Sequence, residues 1–99
     1  MTMKIFELKS LGETLTTREQ GVLAREILEG FLSESEIKKV VINFEEVALT
    51  THGFIDEFLG KLIDKFDQTS FTSKIGFKNL GVHKKIVNYV ITDRWKDIE

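Results

Sequence analysis

Cysteine and proline are both absent from the 99-residue sequence, and each absence narrows what the chain can be. Without cysteine there is no disulfide, no thiolate nucleophile and no Cys-ligated zinc site. Without proline, only the seven glycines remain as strong interrupters of helices and strands. No apolar run approaches the roughly 18 residues of a membrane span, and the N-terminal MTMKIFELKS lacks the apolar core of a signal peptide. We therefore expect a cytoplasmic protein with no membrane partner.

Histidine is also scarce, and the chain carries no excess of positive charge. The two histidines, His52 and His83, lie far apart in the chain, whereas a zinc site needs three or four ligands, so we expect no metal and no cofactor. The formal net charge is −2, and residues 68–99 carry six basic and three acidic side chains without a recognisable reading element. That balance argues against a nucleic-acid partner. We read this basic third as solvated surface, with a surface for an acidic partner as the alternative.

Hydrophobic residues at 41% and charged residues at 30% are typical of a folded globular protein, and we treat residues 1–99 as one domain. Alternating apolar and polar residues over 3–9 predict a half-buried strand. Thr16 and Glu19 match a capping box, which predicts a helix that begins directly after Thr16. The apolar stripe of that helix is predicted to comprise Leu23, Ala24, Ile27, Leu28 and Phe31.

The middle of the chain predicts a strand, a turn and a second helix. Residues 40–44 are mostly β-branched or aromatic, which indicates a central strand covered on both faces. The helix after the turn has apolar residues at helical spacing, namely Ile55, Phe58, Leu59, Leu62, Ile63 and Phe66. Because sites in open α/β sheets lie at the carboxyl ends of strands, we expect the functional site within residues 45–57.

The last third predicts a polar loop over residues 67–73, in which Phe71 packs back onto the domain, a short strand over residues 74–78 and a final helix. That helix runs from residue 82 to about residue 95. Its apolar residues are Val82, Ile86, Val87, Tyr89, Val90 and Ile91. Strands that alternate with helices predict an α/β fold, with roughly three to four strands in a mostly parallel or mixed sheet and three helices packed on it. The first strand would run antiparallel at an edge if Thr14 and Leu15 pair with it.

Four blocks of sequence resemble one known family. They are residues 15–18 (LTTR), residues 41–47 (VINFEEV), residues 54–60 (FIDEFLG), and Asn79 together with residues 90–94 (VITDR). In these blocks the chain resembles the STAS-like domains of unknown function, which are small bacterial relatives of the anti-sigma-factor antagonists. The Phe-x-Asp-Glu-Phe-x-Gly pattern of residues 54–60 is the most specific block. The resemblance implies a STAS-type α/β fold over almost the whole chain.

The same resemblance implies a non-catalytic regulatory module that binds another protein, with a histidine-kinase-like ATPase as the expected partner. Antagonists of the wider class are switched by phosphorylation of a Ser or Thr at the start of the helix after the central strand. That position is Thr51 if the glycine of the antagonist motif is matched to Gly53, and His52 if the match is made on Val47. Thr50 is a further candidate acceptor. For both threonines, capping of the second helix is the structural alternative.

We expect the partner to bind an edge formed by the turn after the central strand and the first turns of the second helix. The residues of this edge are Glu45, Glu46, Thr50, Thr51, His52, Gly53, Phe54, Asp56, Glu57 and Gly60. Structural roles are assigned to Thr16, Arg18, Glu19 and Arg94. Self-association is a further expectation, because small sheets leave edges that need cover.

Asp56 and Glu57 are the pair of acids that an enzyme could use for general acid–base chemistry. No nucleophile or glycine-rich phosphate loop accompanies them, so we expect no enzymatic activity. Their structural alternatives are stabilisation at a helix start, or an ion pair with Arg18 or Arg94. A rival function is that of a small phage- or plasmid-type inhibitor that binds a host or defence protein through its acidic surface. Residues 1–67 supply that surface, with 13 acidic and 8 basic side chains.

Overall fold

The computed structural model describes residues 2–98 of the chain, with side chains described as far as Lys96. It contains five strands and four helices within that range, more than the sequence predicted. In chain order the elements are β1 (Thr2–Glu7), a 3-10 turn (Leu8–Leu11), β2 (Thr14–Leu15), α1 (Arg18–Leu32), β3 (Ile37–Asn43), β4 (Leu49–Thr50), α2 (residues 52–63), α3 (Gln68–Lys74), β5 (Ile75–Lys78), a second 3-10 turn (Gly81–His83) and α4 (Lys84–Ile98).

The main sheet is parallel, with the strand order β1-β3-β5, which confirms the predicted α/β class. Phe6, Ile42 and Phe77 stand side by side in its register and face the helices. An antiparallel edge was expected only if residues 14–15 paired with β1, and they do not. Residues 14–15 instead pair in parallel with residues 49–50, which follow the central strand, and form a separate two-stranded sheet. The loops that leave β1 and β3 therefore run side by side.

The central strand is covered on one face only, so the prediction of burial on both faces was wrong. On the helix side, Val40 and Ile42 are fully buried. On the opposite side Val41 is half-buried, and its neighbours on β1, Met3 and Ile5, are exposed. A β-branched run packs well on any pleated surface, so composition alone does not distinguish one covered face from two.

Helix α1 begins one residue later than predicted. Thr17, not Thr16, is the N-cap, and its hydroxyl accepts a hydrogen bond from the Gln20 amide at 3.1 Å. The Gln20 side chain completes the box by accepting from the amides of Thr17 and Thr16, at 3.1 and 2.9 Å, so Glu19 has no part in it. The predicted stripe was wrong at Leu23, which is exposed. Gly21 lies on the packed side of the helix instead.

Helix α2 is the most buried element of the structure. The predicted stripe is confirmed for its five members within the helix, Ile55, Phe58, Leu59, Leu62 and Ile63, all fully buried. The sixth, Phe66, lies beyond the helix and is half-buried. Residues Asp56–Gly60 form one wide π-helical turn, a feature that often marks a local constraint in a helix.

One part of the last third differs from the prediction. The stretch read as a polar loop forms α3, because the Asp67 carboxylate accepts from the Ser70 amide at 2.7 Å and caps it. Phe71 of this helix packs into the core as predicted, edge-on to Trp95. Within the described residues, no helix has both the length and the apolar character needed to cross a membrane.

Candidate functional site

Helices α1 and α2 cross at Gly21, where the two backbones come unusually close. A Cβ atom at this position would lie 2.7 Å from both the Glu57 Cβ and the Phe54 carbonyl oxygen. One turn further along α1, the Arg25 guanidinium pairs with the Glu57 carboxylate at 3.2 Å and also donates to the Glu57 carbonyl. The Glu57 side chain is therefore held between the helices and is only 15% exposed.

Asp56 lies at the centre of a second set of ion pairs. Arg94 of α4 donates to its carboxylate at 2.8 Å, and Arg18 of α1 does so at 3.2 Å. Arg94 also pairs with Asp64 at 2.9 Å, and Arg18 approaches Glu57 at 3.5 Å. The ion pairs predicted with Arg18 and Arg94 are both confirmed.

The pKa of Asp56 shows what these pairs do. Burial by itself would raise the pKa of this carboxyl, but the hydrogen bonds and positive charges of Arg94 and Arg18 outweigh it and hold the pKa below its ordinary value. A general acid needs the opposite, a carboxyl that keeps its proton near neutral pH. The geometry of Asp56 and Glu57 therefore fits a structural role that joins three helices.

The glycine that ends the wide turn belongs to the same arrangement. A Cβ on Gly60 would lie 2.7 Å from a carboxylate oxygen of Asp56 and 3.0 Å from Nε of Arg94. The block at residues 54–60 thus has a packing explanation. Its two phenylalanines fill the core, its two acids bind arginines and its glycine leaves room for one of those ion pairs.

Thr51 caps α2, as the structural alternative predicted. Its hydroxyl accepts from the Phe54 amide at 3.3 Å and donates to the Thr16 carbonyl at 2.8 Å. Thr16, predicted to be a helix cap, therefore contributes its backbone oxygen instead. Thr51 is half-buried, and its phosphorylation stays a prediction.

Thr50 and His83 form a buried pair beneath the same turn, and they are 8% and 5% exposed. The Nε2 atom of His83 lies 2.8 Å from the Val47 carbonyl, which can only accept, so that nitrogen must carry a proton. In the neutral ring Nδ1 then accepts from the Thr50 hydroxyl at 2.9 Å. The Thr50 hydroxyl is directed at the ring and away from the surface.

The carboxyl ends of the three main strands are tied together through Asn43. Its amide donates to the Glu7 carboxylate at 3.0 Å, and its carbonyl accepts from the Asn79 side chain at 2.8 Å. Asn79 adopts a left-handed backbone conformation with φ of 57°, which asparagine tolerates well. This explains in physical terms why an asparagine suits that position.

The residues of the expected binding edge differ widely in their exposure to solvent. Glu45, Glu46 and His52 are exposed, although Glu46 pairs with Lys9. Phe54 and Gly60 are buried and shape the edge from beneath without reaching its surface. Thr51 and Gly53 lie between these extremes, and a Cβ atom added to Gly53 would lie 3.6 to 3.9 Å from atoms of the Arg18 side chain.

An open groove of about 620 Å³ lies beside this edge, and we call it the apolar groove. Its walls are Leu49, His52, Val82, Lys85, Ile86 and Tyr89, and its floor is the buried pair Thr50 and His83. Large apolar side chains are unusually open here, since Val82 is 85%, Tyr89 55% and Leu49 51% exposed. His52 meets Tyr89 edge to face, with 5.8 Å between ring centroids.

Sequence reasoning missed the part of the groove contributed by α4 and by the 3-10 turn before it. Val82, Ile86 and Tyr89 were grouped with Val87 and Val90 as one apolar set. In the structure Val87 and Val90 are buried, whereas the other three face the groove. A signal was present in the sequence, because the six apolar positions of this helix are too many for one face and separate into two stripes at helical spacing.

The fold and the site together define a small α/β domain with a parallel sheet, three helices joined by ion pairs and an exposed apolar groove near the carboxyl ends of the strands. In the part of the chain that the structure describes, no three His, Cys, Asp or Glu side chains are grouped as metal ligands would be. The chain belongs to the STAS-like domain family of unknown function (DUF4325), whose family model matches residues 22–85. No match to a curated protein or to a solved structure was found for it. The family resemblance read from the sequence is thus confirmed.

Proposed function

We propose that this protein is a non-catalytic regulatory module that binds another protein through the apolar groove and the adjoining turn at residues 45–53. The observation that carries this proposal is the convergence of Leu49, Val82 and Tyr89, three exposed apolar side chains, on one groove. Contiguous apolar surface of this kind on a small protein is typical of an interaction site. Membership of the STAS-like family supports a regulatory interaction role.

The non-catalytic part of the proposal has its own support. Asp56 and Glu57, the two acids best placed for proton transfer, are both held in ion pairs with arginines, and these arginines lower the pKa of Asp56. Neither lines the apolar groove. A reaction centre would instead combine a concave pocket with groups of perturbed pKa inside it.

We further propose a histidine-kinase-like ATPase as the partner and Thr51 as the residue that is switched. A phosphate on Thr51 would remove the hydrogen bond to the Thr16 carbonyl, which joins the start of α2 to the loop before α1. It would also add negative charge close to Arg18, which lies beside Gly53 and pairs with Asp56. Competition for that guanidinium would link modification of Thr51 to the packing of α1 on α2.

A pull-down from the native host tests the binding site. We expect Val82→Ser with Tyr89→Ser to capture at least about tenfold less of the partner than the wild type, because apolar anchors dominate interfaces. Leu23→Ser is the matched control, an exposed leucine on α1 away from the groove. Equal capture by the groove variant and the wild type would contradict the proposal. Loss caused by Glu45→Gln with Glu46→Gln alone would favour the acidic inhibitor instead.

The switch is tested separately with two variants. Thr51→Ser keeps the hydroxyl that caps α2 and that would accept a phosphate, whereas Thr51→Glu adds negative charge. We expect Thr51→Ser to retain the partner and Thr51→Glu to lose it, with mass spectrometry of the native protein to detect the phosphate. If Thr51→Glu binds as well as the wild type, switching at Thr51 is excluded while binding through the groove is not.

A further inference from the structure

The apolar groove continues along α4 into a polar stretch. The two together indicate what kind of ligand this surface would bind. Lys85 and Tyr89 line both the groove and the next depression along the helix, where Asn88, Thr92, Asp93 and Lys96 join them. The surface that starts at Val82 therefore runs to Lys96. At about 1.5 Å per helical residue this is a seam of roughly 20 Å.

The charge of this seam has one predominant sign. Lys85 lies at the junction of the two parts and Lys96 at the far end, and neither forms an ion pair with the residues that the structure describes. The acidic side chain on the seam is Asp93. Most of the acids of the chain lie elsewhere, since residues 1–67 hold 13 of the 16. An exposed lysine without a partner is available to an incoming carboxylate.

Resting on the proposed function, we infer that the seam binds an amphipathic segment of a partner protein that carries apolar anchors for the groove, followed by acidic side chains that meet Lys85 and Lys96. The apolar end provides affinity through Val82, Ile86 and Tyr89. The basic end provides selectivity and orientation, because complementary charge fixes the register of a bound segment more than it adds to affinity.

A single segment fits this surface better than a second copy of the chain. A stable protein dimer buries about 800 Å² on each partner, which a few side chains around one groove do not provide. A groove of about 620 Å³ bordered by a helix is instead comparable to sites that accept a few anchoring side chains of one peptide. The basic third of the sequence, read above as solvated surface, thereby acquires a role at Lys85 and Lys96.

The inference is tested with the full chain and a displayed library of random 16-residue peptides, sorted once on the wild type and once on Lys85→Glu with Lys96→Glu. We expect the wild type to enrich peptides with apolar residues followed by Asp or Glu, and the charge-reversed variant to enrich Lys or Arg at those positions. For a synthetic peptide from the first set, anisotropy should give a Kd about tenfold weaker for the charge-reversed variant. Val82→Ser with Tyr89→Ser should abolish binding.

Two controls isolate the effect. Lys38→Glu with Lys78→Glu makes the same change in net charge at exposed positions away from the seam and should leave the Kd within about twofold. Thermal unfolding of each variant, followed by circular dichroism, verifies that these surface changes leave the fold intact.

The other outcomes overturn the inference in distinguishable ways. Enrichment of apolar peptides with no preference for acids would remove the role of the lysines and leave the proposed function intact. Concentration-dependent dimerisation in sedimentation velocity, abolished by Val82→Ser with Tyr89→Ser, would make the occupant a second copy. Binding to phosphatidylserine vesicles that is lost in the charge-reversed variant would make it a lipid surface. A library with no peptide that depends on the groove would overturn this inference, and the host pull-down would still judge the proposed function.

Discussion

Asp56 and Glu57 are adjacent in sequence, yet their main arginine partners come from different helices, and through them α2 is joined to both of its neighbouring helices. Asp56 reaches Arg94 of α4 and Arg18 of α1, while Glu57 is held mainly by Arg25 of α1. Charged groups that are largely removed from water are retained only where a partner compensates the lost hydration. Each of these acids therefore depends on arginines distant in the chain, and its loss would remove one counter-charge from them.

Asp56→Asn should lower the free energy of unfolding by about 2 kcal/mol near neutral pH, because it removes a charged hydrogen-bond acceptor while keeping the shape of the side chain. The pKa of Asp56 is lower in the folded protein than its ordinary value. Its stabilisation is therefore complete above the unfolded pKa, about 4, and is lost as the pH falls through the folded pKa. Urea unfolding of both proteins between about pH 7 and pH 3 should show the difference shrink in acid.

Asp93→Asn is the control for this titration, since Asp93 is exposed on α4 and should change stability little at any pH. A difference between the wild type and Asp56→Asn that stayed constant down to acid pH would show that the charge of Asp56 contributes nothing to folding.

Thr50→Val tests the buried pair beneath the turn. Valine keeps the shape but removes the hydroxyl that donates to Nδ1 of His83, which leaves a buried acceptor without a partner. We expect a loss of about 1–2 kcal/mol in the free energy of unfolding. Thr69→Val, at an exposed position on α3, is the matched control. Equal stability of Thr50→Val and the wild type would mean that the hydroxyl is replaceable there.

The packing of α2 on its two neighbouring helices depends on two glycines, Gly21 where α1 crosses α2 and Gly60 where α2 meets α4. Gly21 brings the two backbones together, and Gly60 makes space beside Asp56 and Arg94. Glycine inside a helix lowers the stability of the helix by roughly 1 kcal/mol relative to alanine. At both crossings this loss is compensated by contacts that a side chain would block. The wide turn at Asp56–Gly60 belongs to the same arrangement, since both acids lie on it.

Gly21→Ala and Gly30→Ala, two substitutions in the same helix, should have opposite effects. At Gly30 no neighbouring atom lies within 4 Å of an added Cβ, so alanine should stabilise the protein by about 0.5–1 kcal/mol. At Gly21 the Cβ would approach the Phe54 carbonyl at 2.7 Å, and backbone cannot yield cheaply. We expect a net loss of about 1–3 kcal/mol there. The unfolding temperatures of the two variants, measured by thermal melts, test this prediction. A higher unfolding temperature in both would mean that α1 can shift on α2 to make room for the added Cβ at Gly21.

The folded unit extends beyond the residues that the family model matches. The range 22–85 omits β1, which pairs with the central strand along its whole length, and most of α4. Val87 and Val90 of that helix are buried, and Arg94 neutralises Asp56. The family model therefore matches the middle of the structure. Residues near both ends of the chain, in β1 and α4, complete the hydrophobic core.

A fragment limited to residues 22–85 should not fold cooperatively. Each buried apolar side chain that it lacks contributes about 2 kcal/mol, and several of them equal the roughly 5–15 kcal/mol of a whole domain. Circular dichroism should show a broad, non-cooperative thermal transition for the fragment beside a cooperative one for the full chain. A cooperative melt of the fragment would locate the stable core within the matched range alone.

The sequence by itself determined the α/β class, the order in which the three strands of the main sheet alternate with α1, α2 and α4, and the burial of α2. These properties follow from local periodicity, since the apolar residues of α2 recur at helical spacing whatever surrounds them. Membership of the family was likewise readable from the FIDEFLG block. The same block could not reveal its own role, because the arginines that explain it come from α1 and α4.

Only the tertiary structure decided which apolar residues are buried and which are presented to solvent. Val82 and Tyr89 are as apolar as Val87 and Val90, but the number of neighbouring elements decides their burial, and α2 covers only one side of α4. The open face of the sheet and the groove both arise in this way. Exposure depends on contacts between residues far apart in sequence, and these contacts form only when the elements pack together.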